Sequence, residues 1–173
     1  IPARGYLALG DGMPGVAPIG FSYGSALGTL GNESGTIVLR CGETVIDQLA
    51  YGTGAGPPAP GPGVSQQLGL PGGPDAAGND QPGGWCESKT PVAAGSMVLG
   101  TPGAANEVCL GGGGGMGGGG GGGAPAQCPD GSGGMRPRRA PAPGDLVISE
   151  IFSNTPGAEV PEREWIEVYV AAS

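Results

Sequence analysis

Two glutamates near the end of the chain are the residues best placed to do chemistry together. Glu150 and Glu167 each stand in a run of apolar and β-branched residues, which predicts that each lies on a strand. If the two strands are neighbours, the carboxyl groups can approach each other, and glycosidases use carboxylate pairs held at defined separations. Strand glutamates usually face solvent or accept backbone hydrogen bonds. We therefore expect both to be structural and the chain not to be an enzyme.

Other catalytic or metal-binding arrangements have little support in the sequence. The chain has no His, which removes the commonest general base and the commonest metal ligand. Ser65 and Ser149 have no base near them in the pattern, so nucleophilic catalysis is not expected. Asp75, Asn79 and Asp80 could offer oxygen ligands to calcium, but their spacing differs from that of an EF-hand loop. We expect a turn there and no cofactor, with calcium as the open alternative.

Asp47 is an acidic residue that is predicted to face inward from a strand. Alternation puts it on the same face as Val45, Leu49 and Tyr51. A buried carboxylate needs hydrogen-bond partners. We therefore expect Asp47 to accept bonds from backbone N–H groups of a neighbouring loop.

Composition indicates a small ordered fraction and an acidic surface. The 173 residues include 41 Gly and 19 Pro, well above the average for globular chains, which predicts short strands joined by long turns. The net charge of −8, from 7 basic and 15 acidic residues, repels phosphates and anionic lipids. We therefore expect no nucleic-acid partner. No apolar run approaches the length that membrane insertion needs.

Period-two patterns predict several short strands. The clearest is a hairpin of residues 36–41 and 44–51, with Ile37, Leu39 and Cys41 on one face. Further strands are predicted where short apolar runs end at Gly or Pro. These lie before Gly10, within 19–30, over 64–70, and over 146–152 and 164–170.

The cysteines indicate an oxidising compartment. Cys41, Cys86, Cys109 and Cys128 form no Cys-x-x-Cys pair, and an even count favours disulfides over zinc. Because Cys41 is predicted to face inward and Cys86 follows Trp85, we expect a Cys41–Cys86 bond. Cys109 and Cys128 flank a Gly run and are expected to form the second bond. A Cys86–Cys109 bond is the alternative, and a cytosolic protein with reduced thiols is the other reading.

The segment 79–106 carries the strongest turn and packing signals. Pro102 and Gly103 predict a type II turn, because Pro presets the second position and Gly supplies positive φ at the third. Trp85, the largest apolar group nearby, is expected to fill the edge of a core. The structural residues predicted here are Asn79, Asp80, Trp85, Gly100, Thr101, Pro102, Gly103 and Asn106.

In order and spacing, these elements resemble the closing segment of bacterial lamin-tail domains, which are Ig-like β-sandwiches. The matching pattern is an Asn-Asp turn, Trp-Cys, then Gly-Thr-Pro-Gly-Ala-Ala-Asn and a final Cys. Residues 45–51 are similar to the family's Ile-Asp-x-Val-x-Tyr strand, which implies a structural Asp47. The strands that hold Glu150, Trp165 and Glu167 resemble the opening of such a domain, which implies structural roles for these residues too.

The resemblance implies an incomplete Ig-like sandwich in three parts. Residues 1–109 match the C-terminal part of one copy, and 110–144 form a Gly/Pro-rich linker. Residues 145–173 hold the opening strands of a second copy, and the resemblance there covers residues 145–172. Residues 111–123 are all Gly except Met116, so we expect this stretch to be disordered. A coil of the linker's length reaches roughly 30–35 Å. We expect the late strands to fold back on the early part, with tandem domains as the alternative.

Two classes of function remain. The first is a non-catalytic structural, adhesive or docking module of an exported bacterial protein, at the cell surface or outside the cell. Its partners would be other domains of the same polypeptide, or a cell-surface protein or glycan. The second is an accessory module of a secreted hydrolase, such as a nuclease, whose catalytic domain lies outside this sequence. The chain's fold alone does not choose between them.

Overall fold

The computed structural model describes residues 3–10, 19–24, 28–71, 73–109, 126–129, 135–138, 140–157 and 163–171. Within these ranges the regular structure is mostly strand, with almost no helix, which confirms the all-β class. Short β-branched runs that end at Gly or Pro favour strands, because such runs are too short and too stiff for stable helices.

Ten strands are present in the described residues. Their bounds are β1 (Tyr6–Gly10), β2 (Phe21–Ser22), β3 (Gly35–Cys41), β4 (Thr44–Tyr51), β5 (Gln66–Leu68), β6 (Trp85–Glu87), β7 (Ala126–Pro129), β8 (Met135–Arg138), β9 (Leu146–Phe152) and β10 (Trp165–Val170). A 3-10 turn, Pro82–Gly84, leads directly into β6. Among the described residues of the strand predicted within 19–30, only the two residues of β2 are in a strand.

Six strands form one mixed sheet in the order β2-β1-β10-β9-β5-β6. β10 is antiparallel to both β1 and β9, and β5 is antiparallel to both β9 and β6. β1 and β2 run parallel. The two late strands, β9 and β10, therefore lie side by side between strands that come from the first 70 residues.

The β3–β4 hairpin forms a second layer, which packs on the main sheet through β4 and β9. Ile37, Leu49 and Tyr51 from the hairpin join Ile148 and Ile166 from the main sheet in one buried cluster. Two sheets that share an apolar interior fit the description of a β-sandwich.

A bulge changes the register inside the hairpin. Leu39 pairs with Asp47 but Arg40 pairs with Val45, so Ile46 is the extra residue on β4. Ile46 is consequently buried, whereas Val45 and Cys41 are exposed. The inward placement predicted for Val45 is wrong because alternation along β4 does not continue across the bulge. The inward placement predicted for Cys41 is wrong because Cys41 is the last residue of β3, where the hairpin turns and the side chain is exposed.

The predicted disulfides Cys41–Cys86 and Cys109–Cys128 are also wrong, because Cys86 is bonded to Cys109. Cys86 pairs with Gln67 across β5 and β6, and the Cys109 N–H donates to Gly69 O at 2.9 Å. Both cysteines therefore lie beside β5, with their Cα atoms 5.7 Å apart. Cys41 has a free thiol at the exposed end of β3.

Part of the segment predicted as a flexible linker, residues 110–144, forms strands in the structure. β7 and β8 pair within it as an antiparallel ribbon with Ala126 opposite Arg138. The Gly run, residues 111–123, lies outside the described residues.

Candidate functional site

The two glutamates lie directly opposite each other at the centre of the main sheet. Glu150 on β9 and Glu167 on β10 are paired residues, and both are fully buried, at 0% exposure. Next to them Ser149 is the extra residue of a bulge, because Ile148 pairs with Val168 while Glu150 pairs with Glu167. The two carboxyl groups therefore share one face of the sheet in an interior setting.

Glu150 receives hydrogen bonds from the segment that covers this face. The Thr101 N–H donates to Oε1 at 2.9 Å, and Thr101 Oγ1 lies 3.0 Å from Oε2. The Ser65 hydroxyl also donates to Oε1. Burial raises the pKa of Glu150 to about 7, against the opposing effect of these hydrogen bonds.

Glu167 is held in a similar way. The Gly103 N–H donates to Oε2 at 2.8 Å, and the Ser149 hydroxyl donates to Oε1 at 2.8 Å. Burial raises the pKa of Glu167 to about 9, and the neighbouring charge of Glu150 adds to the rise. At neutral pH these pKa values favour a carboxyl pair that keeps at least one proton.

The segment that covers the glutamate pair is residues 100–106, and it contains the Thr-Pro-Gly turn. The Ala104 N–H donates to Thr101 O at 2.9 Å, and Gly103 has a φ of 76°, as a type II turn with Pro102 at its second position requires. Because Gly103 adopts positive φ, its N–H can point inward to Glu167. The turn thus offers both backbone and side-chain donors to the buried carboxyl groups of Glu150 and Glu167.

Gly100 lets the chain pass close to an aromatic ring. A Cβ there would lie 2.8 Å from Trp165 Cζ2. Trp165 is buried and stacks on Phe152, with ring centroids 5.8 Å apart. Gly100 therefore permits the close packing that brings the following Thr101 over Glu150.

Asn106 fixes the other end of the covering segment. Its Nδ2 donates to Ser149 O at 2.8 Å and to Leu68 O at 3.2 Å. Ser149 is the bulged residue of β9 and has no paired residue on β10. The Asn106 amide therefore supplies a hydrogen-bond donor to its carbonyl group. Asn106 thereby joins the covering segment to both β5 and β9.

A second carboxylate site lies between the two sheets. Asp47 Oδ2 accepts from the Ile148 N–H at 2.8 Å and from Asn79 Nδ2 at 2.6 Å. Burial raises the pKa of Asp47 to about 6, although the Ile148 N–H opposes the rise. Asp47 thus accepts from the backbone of the late strand β9 and from the side-chain amide of Asn79 in the 75–80 loop.

Trp85 completes this second site. It is 6% exposed, and its Nε1 donates to Asn79 O at 2.8 Å. The ring belongs to the main buried cluster. Trp85 therefore holds Asn79, which in turn donates to Asp47.

The 75–80 loop has the bonding of a turn. Asp75 Oδ1 accepts from the N–H groups of Ala77 and Gly78, at 3.1 and 2.9 Å, as in an Asx turn. Asp80 as a whole is exposed, but partial burial of its carboxyl group raises its pKa. Within the described residues, no three His, Cys, Asp or Glu side chains are arranged to hold a metal ion.

Several residues of these sites were not assigned to them from the sequence. Ser65 donates to Glu150 and Gln67 lies beside Thr101 because β5 pairs with β9, a long-range contact that no local pattern encodes. Glu164 is buried as well, and its Oε2 accepts from the Leu30 N–H at 2.7 Å. The polar triplet Ser65-Gln66-Gln67 within an otherwise apolar predicted strand was the one available signal.

No family model, no curated protein and no solved structure matches the chain. Among the described residues, no helix has the length and apolar character needed to span a bilayer.

Proposed function

We propose that the chain is a non-catalytic, Ig-like β-sandwich module of the lamin-tail type, from an exported bacterial protein. It serves as a structural or docking unit at the cell surface or outside the cell. Its partners are other domains of its own polypeptide, or a cell-surface protein or glycan. The observation that carries this proposal is the bonding of the buried carboxyl groups.

Each of these carboxyl groups is committed to the chain's own donors. Glu150 accepts from Ser65 and Thr101, Glu167 accepts from Gly103 and Ser149, and Asp47 accepts from Ile148. A glycosidase needs one carboxyl group to protonate a leaving group and the other to reach the sugar or a water. Fully buried groups that already bind protein donors are suited to anchoring a covering loop instead.

The disulfide supports an exported protein. Structural disulfides persist in oxidising compartments and are rare in the cytosol. The Cys86–Cys109 bond therefore indicates a non-cytoplasmic environment. The acidic net charge of −8 favours a protein or glycan partner over an anionic one.

Enzyme assays combined with a stability measurement test the proposal. The protein should not turn over nucleic acids, phosphate esters or glycosides. Glu150→Gln should lower the melting temperature, whereas Glu43→Gln, at an exposed position, should leave it unchanged. Turnover of any of these substrates that Glu150→Gln abolishes while the melting temperature stays the same would show a catalytic site.

A further inference from the structure

The hydroxyl of Thr101 is surrounded by oxygen atoms. Its Oγ1 lies 3.0 Å from Glu150 Oε2, 2.9 Å from Asn106 Oδ1 and 3.2 Å from Gln67 Oε1. A threonine hydroxyl has one proton to donate, so it can satisfy only one of these three acceptors at a time. The arrangement therefore holds a nucleophilic oxygen against a carboxylate and two carboxamides, in an interior position.

The carboxamide of Gln67 is bonded at both ends by one residue. The Glu107 N–H donates to Gln67 Oε1 at 3.2 Å, and Gln67 Nε2 donates to Glu107 Oε2 at 2.8 Å. The first bond polarises the carbonyl group and can stabilise negative charge on its oxygen. The second places a carboxylate beside the nitrogen. Both bonds also fix which end of the amide is oxygen.

The distances bring nucleophile and electrophile close to reaction. A carbonyl carbon lies about 1.2 Å from its oxygen, so Thr101 Oγ1 is within roughly 4.5 Å of Gln67 Cδ. Productive attack needs about 3–3.5 Å, so the two atoms have to approach each other by up to about 1 Å. Gln67 is fully buried and Thr101 nearly so, so water has little access to compete.

We propose that Thr101 and Gln67 form an intramolecular ester cross-link with release of ammonia, and that Glu150 is the catalytic base. The covalent bond would join the covering turn to β5, across 34 residues of sequence. It is a single self-modification, beyond the structural or docking role proposed above.

The reaction balances without a co-reactant. Thr101 Oγ1 bonds to Gln67 Cδ while its proton moves to the Glu150 carboxylate. The carbonyl electron pair moves to Oε1, where the Glu107 N–H stabilises it. When the carbonyl reforms, the Cδ–Nε2 bond breaks and the nitrogen leaves as ammonia, having taken up the proton that Thr101 lost. Glu150 ends as it began, and no group is oxidised or reduced.

Burial tunes Glu150 for this role, since its pKa of about 7 suits proton transfer at neutral pH. Asn106 is the competing electrophile, but its amide nitrogen donates to Ser149 O and Leu68 O. These two bonds hold the Asn106 amide against β5 and β9, whereas the Glu107 N–H polarises the carbonyl group of Gln67. Gln67 is therefore the preferred acyl donor.

Intact mass spectrometry of the full chain, produced with its disulfide formed, tests the proposal. The expected mass is that of the disulfide-bonded sequence less one ammonia, and peptide mapping should yield a branched peptide that joins Gln67 to Thr101. A folded protein that keeps its full mass after prolonged incubation at neutral pH would overturn the proposal. A branch at Asn106 would overturn the assignment of Gln67.

Variants of the reacting groups separate this chemistry from other losses of ammonia. Thr101→Val and Glu150→Gln should keep the full mass, whereas Thr101→Ser retains a nucleophile and should still lose ammonia. Thr36→Val, at an exposed threonine on β3, is the matched control and should lose ammonia as the parent does. Loss of ammonia in Thr101→Val would contradict the mechanism. If a variant does not fold, the branched peptide of the parent still decides.

Discussion

A carboxyl group buried beside another carboxyl group makes the stability of a protein depend on pH. The pKa of Glu167 rises from 4.5 to about 9, mainly through burial, and that of Glu150 rises to about 7. Both folded pKa values lie above the unfolded ones, so the folded state binds more protons. The stability that these groups contribute is complete below about pH 4.5 and falls as pH rises through 7 and 9.

Glu107 changes the stability of the fold with pH in the opposite direction, and it does so at acid pH. The hydrogen bond from Thr90 lowers its pKa, so its contribution is lost as pH falls through that lowered value. Together these groups predict greatest stability at mildly acidic pH. Urea denaturation across the range from acid to alkaline pH measures this directly.

Glu167→Gln tests which group causes the alkaline loss. A neutral amide can accept from the Gly103 N–H and donate to the Ser149 hydroxyl, so we expect a folded variant whose stability falls less between pH 5 and pH 9, the window in which its pKa acts. Glu43→Gln, on the surface, should keep the parent's profile. A variant with the parent's full alkaline loss would contradict the placement of Glu167.

Trp85 is the residue whose truncation should destabilise the fold most. The ring is buried in the main cluster and its N–H donates to Asn79 O. Trp85→Ala should lower the free energy of unfolding by about 3–5 kcal/mol, since it leaves a large cavity. Trp85→Phe keeps much of the apolar contact and should cost clearly less. If Trp85→Ala denatures at the same urea concentration as the parent, the ring is not part of the core.

At the scale of elements, the disulfide closes the segment that covers the glutamate pair. Cys86 and Cys109 are separated by 23 residues, and a closed loop of that size is worth about 3 kcal/mol through restriction of the unfolded chain. The double variant Cys86→Ser/Cys109→Ser should lose about this much stability to urea. Cys41→Ser, at the exposed thiol, should change stability by less than about 0.5 kcal/mol. Equal losses in the two variants would contradict the observed pairing.

Sequence patterns predicted elements well where local chemistry decides them. The runs predicted over 146–152 and 164–170 became β9 and β10 almost to the residue, because β-branched residues and bounding turns define them. The type II turn at Pro102-Gly103 was likewise readable. These features depend on a few neighbouring residues.

The errors arose where a distant partner decides the outcome. The bulge at Ile46 depends on how β4 pairs with β3, and it buries Ile46 and exposes Val45. The disulfide depends on Cys86 and Cys109 both lying beside β5. Gln67 and Ser65 joined the site through β5–β9 pairing. None of these contacts is encoded within a sequence window.

At the scale of the whole molecule, the early and late segments make one sheet. Many of the bonds that define both carboxyl sites cross between them. Examples are Asp47 with Ile148, Asn106 with Ser149 and Gly103 with Glu167. If β9 and β10 were absent, β1 and β5 would each lose a neighbour and the main apolar cluster would lose its centre.

The thermal unfolding of a chain that lacks residues 145–173, measured beside the full chain, tests this account most directly. We expect the shortened chain to show no cooperative transition and to self-associate, because exposed strand edges and apolar surface promote pairing between molecules. The full chain should be monomeric and unfold in one transition. A shortened chain that stays monomeric with the same melting temperature would contradict the account, since β9 and β10 would then not be part of the core.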